Sequence, residues 1–177
     1  AYVIMTNHQS YLDIPVMALA VHGHLRFIAK KELFRIPVFG PAMKAAGIIR
    51  IDRPDREKAI ESLRQAAEEL HAGTNIWIAP EGTRTRDGRI GRFQRAGLRA
   101  MLQARDWEVW VVVGDGMWRC ARLADFVRGI DSVEVRMLAD GPLRFSPQRD
   151  DADAFIDDLR SRMISGLGRL RDGSAPS

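Results

Sequence analysis

Hydrophobic positions along the chain follow two different periods. Six short apolar runs, each followed by polar or turn-forming residues, are typical of strands, and the last alternates apolar and polar residues as a half-exposed strand does. The predicted strands are Tyr2–Thr6, Leu25–Ala29, Ile48–Asp52, Asn75–Ala79, Glu108–Val113 and Ser132–Leu138.

Four longer segments repeat their apolar residues at helical spacing. The pattern is clearest over Asp55–His71, where Ile60, Leu63 and Leu70 share one face. Pro15 is tolerated only in a first helical turn, so it places the start of the first helix near Asp13. The predicted helices are Asp13–His22, Asp55–His71, Phe93–Ala104 and Asp150–Leu170.

Strands that alternate with helices predict an α/β fold: a single domain with a mostly parallel or mixed central sheet flanked by helices. The chain has 177 residues, which is enough for one sizeable core. We expect the domain to span residues 1–171 and residues 172–177 to form a flexible tail.

Composition narrows the class of partner without choosing one. Hydrophobic residues make up 46% and charged residues 28% of the chain, which is ordinary for a globular protein. The 27 Lys and Arg exceed the 23 Asp and Glu, giving a net charge of +4 that suits a phosphate ligand, an anionic membrane or nucleic acid. Cys120 is the only cysteine, which excludes an intramolecular disulfide and a multi-cysteine zinc site.

A histidine and an aspartate lie between the first strand and the first helix. An imidazole can accept a proton from a hydroxyl group, and a nearby carboxylate can hold its tautomer. On one straight helix His8 and Asp13 would point apart, so they meet only if His8 lies in a loop and Asp13 begins the helix. The alternative is that Asp13 is only a helix cap and His8 only a loop residue.

A second polar cluster follows the fourth predicted strand, at Glu81, Gly82, Thr83 and Arg84. Glycine permits close backbone approach, and the hydroxyl and guanidinium are suitable donors to a phosphate. Basic residues also follow two other strands, at Lys30 and Arg53. Each cluster alone is also consistent with a solvated surface turn.

The ordered set of motifs resembles the glycerophospholipid acyltransferase family, specifically its 1-acyl-sn-glycerol-3-phosphate acyltransferase branch. The motifs are NHQSYLD at residues 7–13, AKKEL at 29–33, PVFG at 37–40, GIIRIDR at 47–53 and PEGTR at 80–84. The resemblance covers roughly residues 3–104 and implies an α/β acyltransferase domain. It implies that His8 is the general base and Asp13 its partner carboxylate. It also implies acceptor binding by Lys30, Arg53, Glu81, Gly82, Thr83 and Arg84, with Arg84 as the best phosphate ligand.

The same resemblance implies an O-acyltransferase of phospholipid biosynthesis. Such an enzyme moves a fatty acyl group from acyl-CoA or acyl carrier protein to the free hydroxyl of a lysophospholipid, here 1-acylglycerol-3-phosphate. We expect no metal and no cofactor beyond the acyl thioester co-substrate, and no nucleic-acid partner. A membrane surface is an expected partner, on the cytoplasmic face. Because the family places hydrophobic helices before the histidine motif, we also expect a segment upstream of Ala1.

The sequence departs from the family pattern at two places, and these leave the acyl donor and the length of the acyl chain open. Phe93 is followed by Ala96 and then Gly97, where the family often has glycine three residues after phenylalanine. The block at residues 107–116 lacks the proline of the family's Val-Pro-Val strand. Three alternatives therefore stay open: another lyso-lipid acceptor, a thioesterase or lipid hydrolase using His8 and Asp13, and a non-catalytic basic module that binds membrane or nucleic acid.

Overall fold

The computed structural model describes residues 2–10, 13–21, 24–37, 39–52, 55–70, 74–120 and 134–173. Across these ranges the chain forms six strands, five α-helices and two short 3-10 helices. The strands are β1 (Tyr2–Thr6), β2 (His24–Lys30), β3 (Ile49–Ile51), β4 (Thr74–Ile78), β5 (Trp107–Asp115) and β6 (Arg136–Phe145). The α-helices are α1 (Asp13–Ala20), α2 (Phe39–Ala45), α3 (Arg56–Glu68), α4 (Arg95–Gln103) and α5 (Ala152–Arg171). The 3-10 helices are Lys31–Arg35 and Met117–Cys120.

The strands form one sheet in the order β3-β2-β4-β1-β5-β6. The first five strands are parallel, and β6 pairs antiparallel with β5 at the edge. This confirms the predicted α/β fold with a mostly parallel, mixed sheet. Because β1 lies between β4 and β5 and all three are parallel, the loops that follow these strands lie side by side at their carboxyl ends.

The larger core lies on the face of the sheet that carries α3, α4 and α5. On β1 the side chains of Val3 and Met5 point to this face and are fully buried, and Ile76 of β4 is buried beside them. From α5, Ile156 and Leu159 complete the packing with no exposed surface. Alternation along β1 therefore anchors the central strand in the core and holds its carboxyl end in place.

A smaller cluster covers the other face. Ile4 of β1 and Trp77 of β4 pack there against Met17 of α1. The Phe27 ring lies 5.5 Å from the Trp77 ring between centroids. Apart from Asp13, the residues of helix α1 are all apolar, and Leu19 is 87% exposed.

Two element predictions were wrong in detail. The last strand was predicted at Ser132–Leu138, but β6 runs over Arg136–Phe145, and Ser132 lies outside the described residues. The strand continues through Pro142, because an edge strand with a bulge tolerates proline. The short helix α2 was not predicted. It packs so closely on the preceding 3-10 helix that a Cβ at Gly40 would lie 2.1 Å from the Phe34 carbonyl oxygen.

Candidate active site

The His8 ring and the Asp13 carboxylate meet at the carboxyl end of β1. His8 Nδ1 and Asp13 Oδ2 lie 2.6 Å apart. His8 lies in the loop after β1 and Asp13 is the first residue of α1, which is the turned geometry that the sequence required. The predicted contact is therefore confirmed.

Asp13 is buried, and it also organises the backbone around His8. Its Oδ2 accepts the Gln9 N–H at 2.7 Å, and its two oxygens accept the Ser10 N–H at 3.1 and 3.2 Å. The carboxylate thus caps its own loop while it contacts the ring. Both of these amides precede α1, so the bonds are not those of the N-cap alternative, in which the side chain accepts from amides inside the helix.

Glu81 links the loop of His8 to the loop after β4, residues 79–94, which we call the β4–α4 loop. Its Oε1 accepts the His8 N–H at 3.0 Å, and its Oε2 accepts the Gly91 N–H at 2.6 Å. A Cβ at Gly91 would lie 2.8 Å from Oε2, so any side chain at this position would force the Glu81 carboxylate to shift. Glu81 was predicted among the acceptor-binding residues. It is 3% exposed, and both of its carboxylate oxygens accept hydrogen bonds from backbone amides. Its geometry is that of a positioning residue.

Burial raises the pKa of the Glu81 carboxyl above its usual value of 4.5. The hydrogen bonds from the His8 and Gly91 amides oppose that rise. The neighbouring Asp13 charge adds to it. Burial therefore disfavours the ionised form of Glu81, while the hydrogen bonds from the two backbone amides favour it.

Two further contacts fix the backbone on either side of His8. The Asn7 side chain donates to the Gly114 carbonyl at 2.8 Å and accepts the Gly114 N–H at 2.8 Å, joining the end of β1 to β5. The His8 carbonyl accepts the Thr85 N–H at 2.8 Å. The loop that carries His8 is consequently held by β5, α1 and the β4–α4 loop together.

A cavity of about 610 Å³ opens beside the His8 ring. The His8 ring also stands edge-on to Trp77, with centroids 6.0 Å apart and an interplanar angle of 82°. From this end the cavity runs between the sheet and helices α3 and α4. Its apolar lining includes Ile14, Ile28, Ile60, Leu63, Trp77 and Phe93. A histidine ring that lines a largely apolar cavity can serve a substrate with a reactive head and an aliphatic tail.

Comparison with known proteins decides the family. The profile of the Acyltransferase family matches residues 1–114, which include His8, Asp13 and Glu81–Arg84. The chain belongs to the Acyltransferase family. The resemblance seen in the sequence motifs is therefore confirmed.

Curated relatives in this family share one named activity. The chain is 32% identical over 166 residues to the ovine 1-acyl-sn-glycerol-3-phosphate acyltransferase alpha, covering 93% of this chain and 57% of the relative. It is 40% identical over 88 residues to the 1-acyl-sn-glycerol-3-phosphate acyltransferase of Helicobacter pylori, covering 50% of this chain and 37% of the relative. The chain thus spans little more than half the length of the ovine acyltransferase, and less of the bacterial one.

A solved structure shows the same acyltransferase fold. The 1-acyl-sn-glycerophosphate acyltransferase of Thermotoga maritima superposes with a TM-score of 0.73 at 20% identity, covering 96% of this chain and 66% of that chain. At this identity the match shows the fold alone.

The predicted acceptor-binding residues are described to different extents. Gly82 adopts a φ of +70° in the turn that follows Glu81, and Thr83 is exposed. Arg84 is half-buried and precedes Thr85, whose amide reaches the His8 carbonyl. Lys30 ends β2, but its side chain is not described, and Arg53 lies outside the described residues.

Sequence reasoning missed Asn7 and Gly91 as site residues. Asn7 stands next to His8 in the NHQSYLD motif, and this was the signal available in the sequence. Its role was missed because its partner, Gly114, is 107 positions away. Gly91 carried no signal in one sequence. Within the described ranges, no helix is long and apolar enough to cross a membrane, and no three His, Cys, Asp or Glu side chains are grouped as for a metal ion.

Proposed function

We propose that this domain transfers a fatty acyl group from an acyl thioester to the free hydroxyl of a lysophospholipid, with His8 as the general base. The thioester is acyl-CoA or acyl carrier protein, and the acceptor is 1-acylglycerol-3-phosphate. The observation that carries the proposal is the 2.6 Å contact between His8 Nδ1 and Asp13 Oδ2 beside the apolar cavity.

The contact with Asp13 determines which ring nitrogen can act as base. The Nδ1–H donates to the carboxylate, so the lone pair lies on Nε2. Asp13 in turn holds the ring in place and stabilises the imidazolium formed on proton transfer. His8 is 18% exposed in its side chain, which leaves an approach for the acceptor hydroxyl.

The reaction balances without a covalent enzyme intermediate. Nε2 of His8 takes the hydroxyl proton as the oxygen attacks the thioester carbonyl carbon, giving a tetrahedral intermediate. The C–S bond then breaks, an ester remains on the acceptor, and the thiolate takes the proton back from the imidazolium. General-base catalysis contributes about 10²–10⁴-fold, and positioning of both substrates contributes the rest.

Substrate binding follows from the shape and charge of the site. The cavity of about 610 Å³ suits an aliphatic acyl chain, because its lining is largely apolar. We assign the acceptor phosphate to Arg84, with Lys30 and Arg53 assisting, since guanidinium groups bind phosphate in a bidentate manner. The Thr85–His8 hydrogen bond supports this assignment, because it brings the backbone next to Arg84 against the base.

One experiment separates acyl transfer from hydrolysis by the same residues. The purified protein is incubated with an acyl-CoA, with and without 1-acylglycerol-3-phosphate, and the lipids are identified by mass spectrometry. Acyl transfer predicts phosphatidic acid only when the acceptor is present. Free fatty acid at equal rates in both reactions contradicts the proposal and indicates a thioesterase. A panel of other lyso-lipids tests the acceptor headgroup.

We also propose that the domain contacts a membrane surface through the segment 31–37. Leu33 and Ile36 expose apolar side chains there, and Arg35 is exposed between them. Apolar side chains with adjacent cations suit an anionic lipid surface. Replacing Leu33 and Ile36 by serine is expected to reduce sedimentation with anionic vesicles. Ile164→Ser, on the similarly exposed Ile164 of α5, is the control and is expected to leave sedimentation unchanged.

A further inference from the structure

Arg171, the last residue of α5, makes three hydrogen bonds to two separate segments beside the site. Arg171 Nε donates to Asp115 Oδ2 at 2.9 Å, and Arg171 Nη2 donates to Asp115 Oδ1 at 2.9 Å. The same Nη2 donates to the Gly88 carbonyl at 2.8 Å. One planar guanidinium therefore joins the end of β5 to the β4–α4 loop.

Both acceptors lie next to residues that hold His8. Asp115 follows Gly114, which exchanges two hydrogen bonds with Asn7. Gly88 lies in the β4–α4 loop between Thr85, which donates to the His8 carbonyl, and Gly91, which donates to Glu81. Arg171 thus braces the two backbone segments between which the base is held.

Close packing around Gly88 leaves little room for the guanidinium of Arg171 or the backbone of the β4–α4 loop to move. Gly88 is buried with a φ of +73°, and a Cβ there would lie 2.7 Å from Trp118 Nε1 and 2.9 Å from Arg171 Nη2. The hydrogen bonds from Arg171 are the main cause of a lowered pKa at the Asp115 carboxyl. Asp115 therefore stays ionised, and bidentate pairing orients the guanidinium toward Gly88.

We propose that Arg171 is a positioning residue for acyl transfer, acting by bracing the end of β5 against the β4–α4 loop. The proposal rests on the proposed function, since the β4–α4 loop that Arg171 braces carries Glu81 and Arg84, and this loop and β5 together hold the loop of His8. Arg171 and Asp115 both lie beyond residues 1–114, the part of the chain that matches the family profile. The brace is thus supplied by the C-terminal helix, outside the motif-bearing region.

The same helix offers a matched control. Arg162 of α5 pairs with Asp140 of β6 at 3.0 Å and with Asp158 at 2.7 Å. Its side chain is 37% exposed, against 38% for Arg171. Arg162→Gln therefore removes a comparable ion pair between α5 and the sheet without touching either site loop.

The test compares Arg171→Gln, Arg171→Lys and Arg162→Gln by steady-state kinetics and thermal unfolding. We expect Arg171→Gln to lower kcat/KM for the acceptor by about ten-fold, within the roughly 100-fold that a misplacement of 1 Å can cost. Arg171→Lys keeps the positive charge but not the planar group that donates two parallel hydrogen bonds, so we expect it to retain more of the wild-type kcat/KM than Arg171→Gln but not all of it. Arg162→Gln is expected to lower the melting temperature similarly and leave kcat and KM unchanged.

Amide hydrogen exchange gives a readout that does not depend on turnover. Arg171→Gln is expected to speed exchange at the Thr85 and Gly91 amides, and Arg162→Gln is not. Wild-type kinetics and unchanged exchange in folded Arg171→Gln would overturn the inference. If instead the wild type forms no ester and His8→Ala changes nothing, the proposed function fails, while exchange still reports on the brace.

Discussion

The Glu81 carboxylate and the backbone amide of His8 are joined by a hydrogen bond of 3.0 Å between the carboxyl ends of two neighbouring parallel strands. This bond makes the placement of His8 depend on a residue 73 positions away in sequence. It gives the buried acidic side chain of the EGTR segment a structural role, which is to hold the backbone of His8.

We predict that Glu81→Gln lowers both activity and stability. Glutamine keeps one acceptor oxygen but presents an amide NH₂ to the second backbone N–H, so one of the two hydrogen bonds is lost. An unsatisfied buried donor costs about 1–3 kcal/mol. Denaturant unfolding measures the stability, and turnover of the folded fraction measures the activity. Glu57→Gln on the exposed side of α3 is the control and is expected to be neutral.

The raised pKa of Glu81 predicts a specific pH dependence. Because the folded state binds the proton more tightly than the unfolded state, the contribution of Glu81 to stability is fully present below about pH 4.5 and is lost as pH rises through the raised pKa. The stability of the wild type relative to Glu81→Gln should therefore fall as pH increases from 4.5 toward neutrality. A relative stability that rises over this range would contradict the assignment.

We predict that Asp13→Asn removes most turnover while the protein stays folded. Asparagine keeps one acceptor oxygen for the Ser10 N–H. Its NH₂ at the Oδ2 position favours the wrong tautomer of His8 and loses the Gln9 N–H bond, and a neutral amide cannot stabilise the imidazolium. We expect a loss of roughly 10²–10⁴-fold in kcat. Asp55→Asn is a matched control, because Asp55 caps α3 by accepting the Lys58 N–H at 3.1 Å, outside the site. That variant should retain wild-type kinetics.

Asn7 is predicted to couple stability and activity. Asn7→Ala breaks both hydrogen bonds with Gly114 and leaves two buried backbone groups unpaired, at about 1–3 kcal/mol each. We expect a lower melting temperature and a reduced kcat, because Asn7 precedes the base. Melting curves and initial rates check both. A stable Asn7→Ala protein with wild-type kcat would show that the tie to β5 does not position His8.

The apolar cavity predicts the acyl-chain preference. Ala59 lines it, so Ala59→Leu should fill part of its volume and shift the preference toward shorter acyl thioesters. Competition among acyl-CoAs of different length, read by mass spectrometry, measures the shift. Ala154→Leu, at an exposed position of α5, should leave the preference unchanged. An identical chain-length profile in Ala59→Leu would place the acyl chain elsewhere.

The contact at the centre of the site was predictable because its causes are local. Pro15 places the start of α1 near Asp13, and His8 then lies within one loop of it. The contacts of Asn7 and Glu81 were not predictable, because they depend on β1 lying between β4 and β5. Periodicity identifies strands but does not order them. The course of β6 was missed because its continuation past Leu138 depends on pairing with β5, which a local pattern does not show.

The most direct test of the account is the rate of phosphatidic acid formation by His8→Ala from an acyl-CoA and 1-acylglycerol-3-phosphate. Circular dichroism first confirms that the variant is folded. We predict that the wild type forms the product and that His8→Ala forms at least 100-fold less, which is the lower end of the roughly 10²–10⁴-fold that a general base contributes. Product formation by folded His8→Ala at the wild-type rate would contradict it.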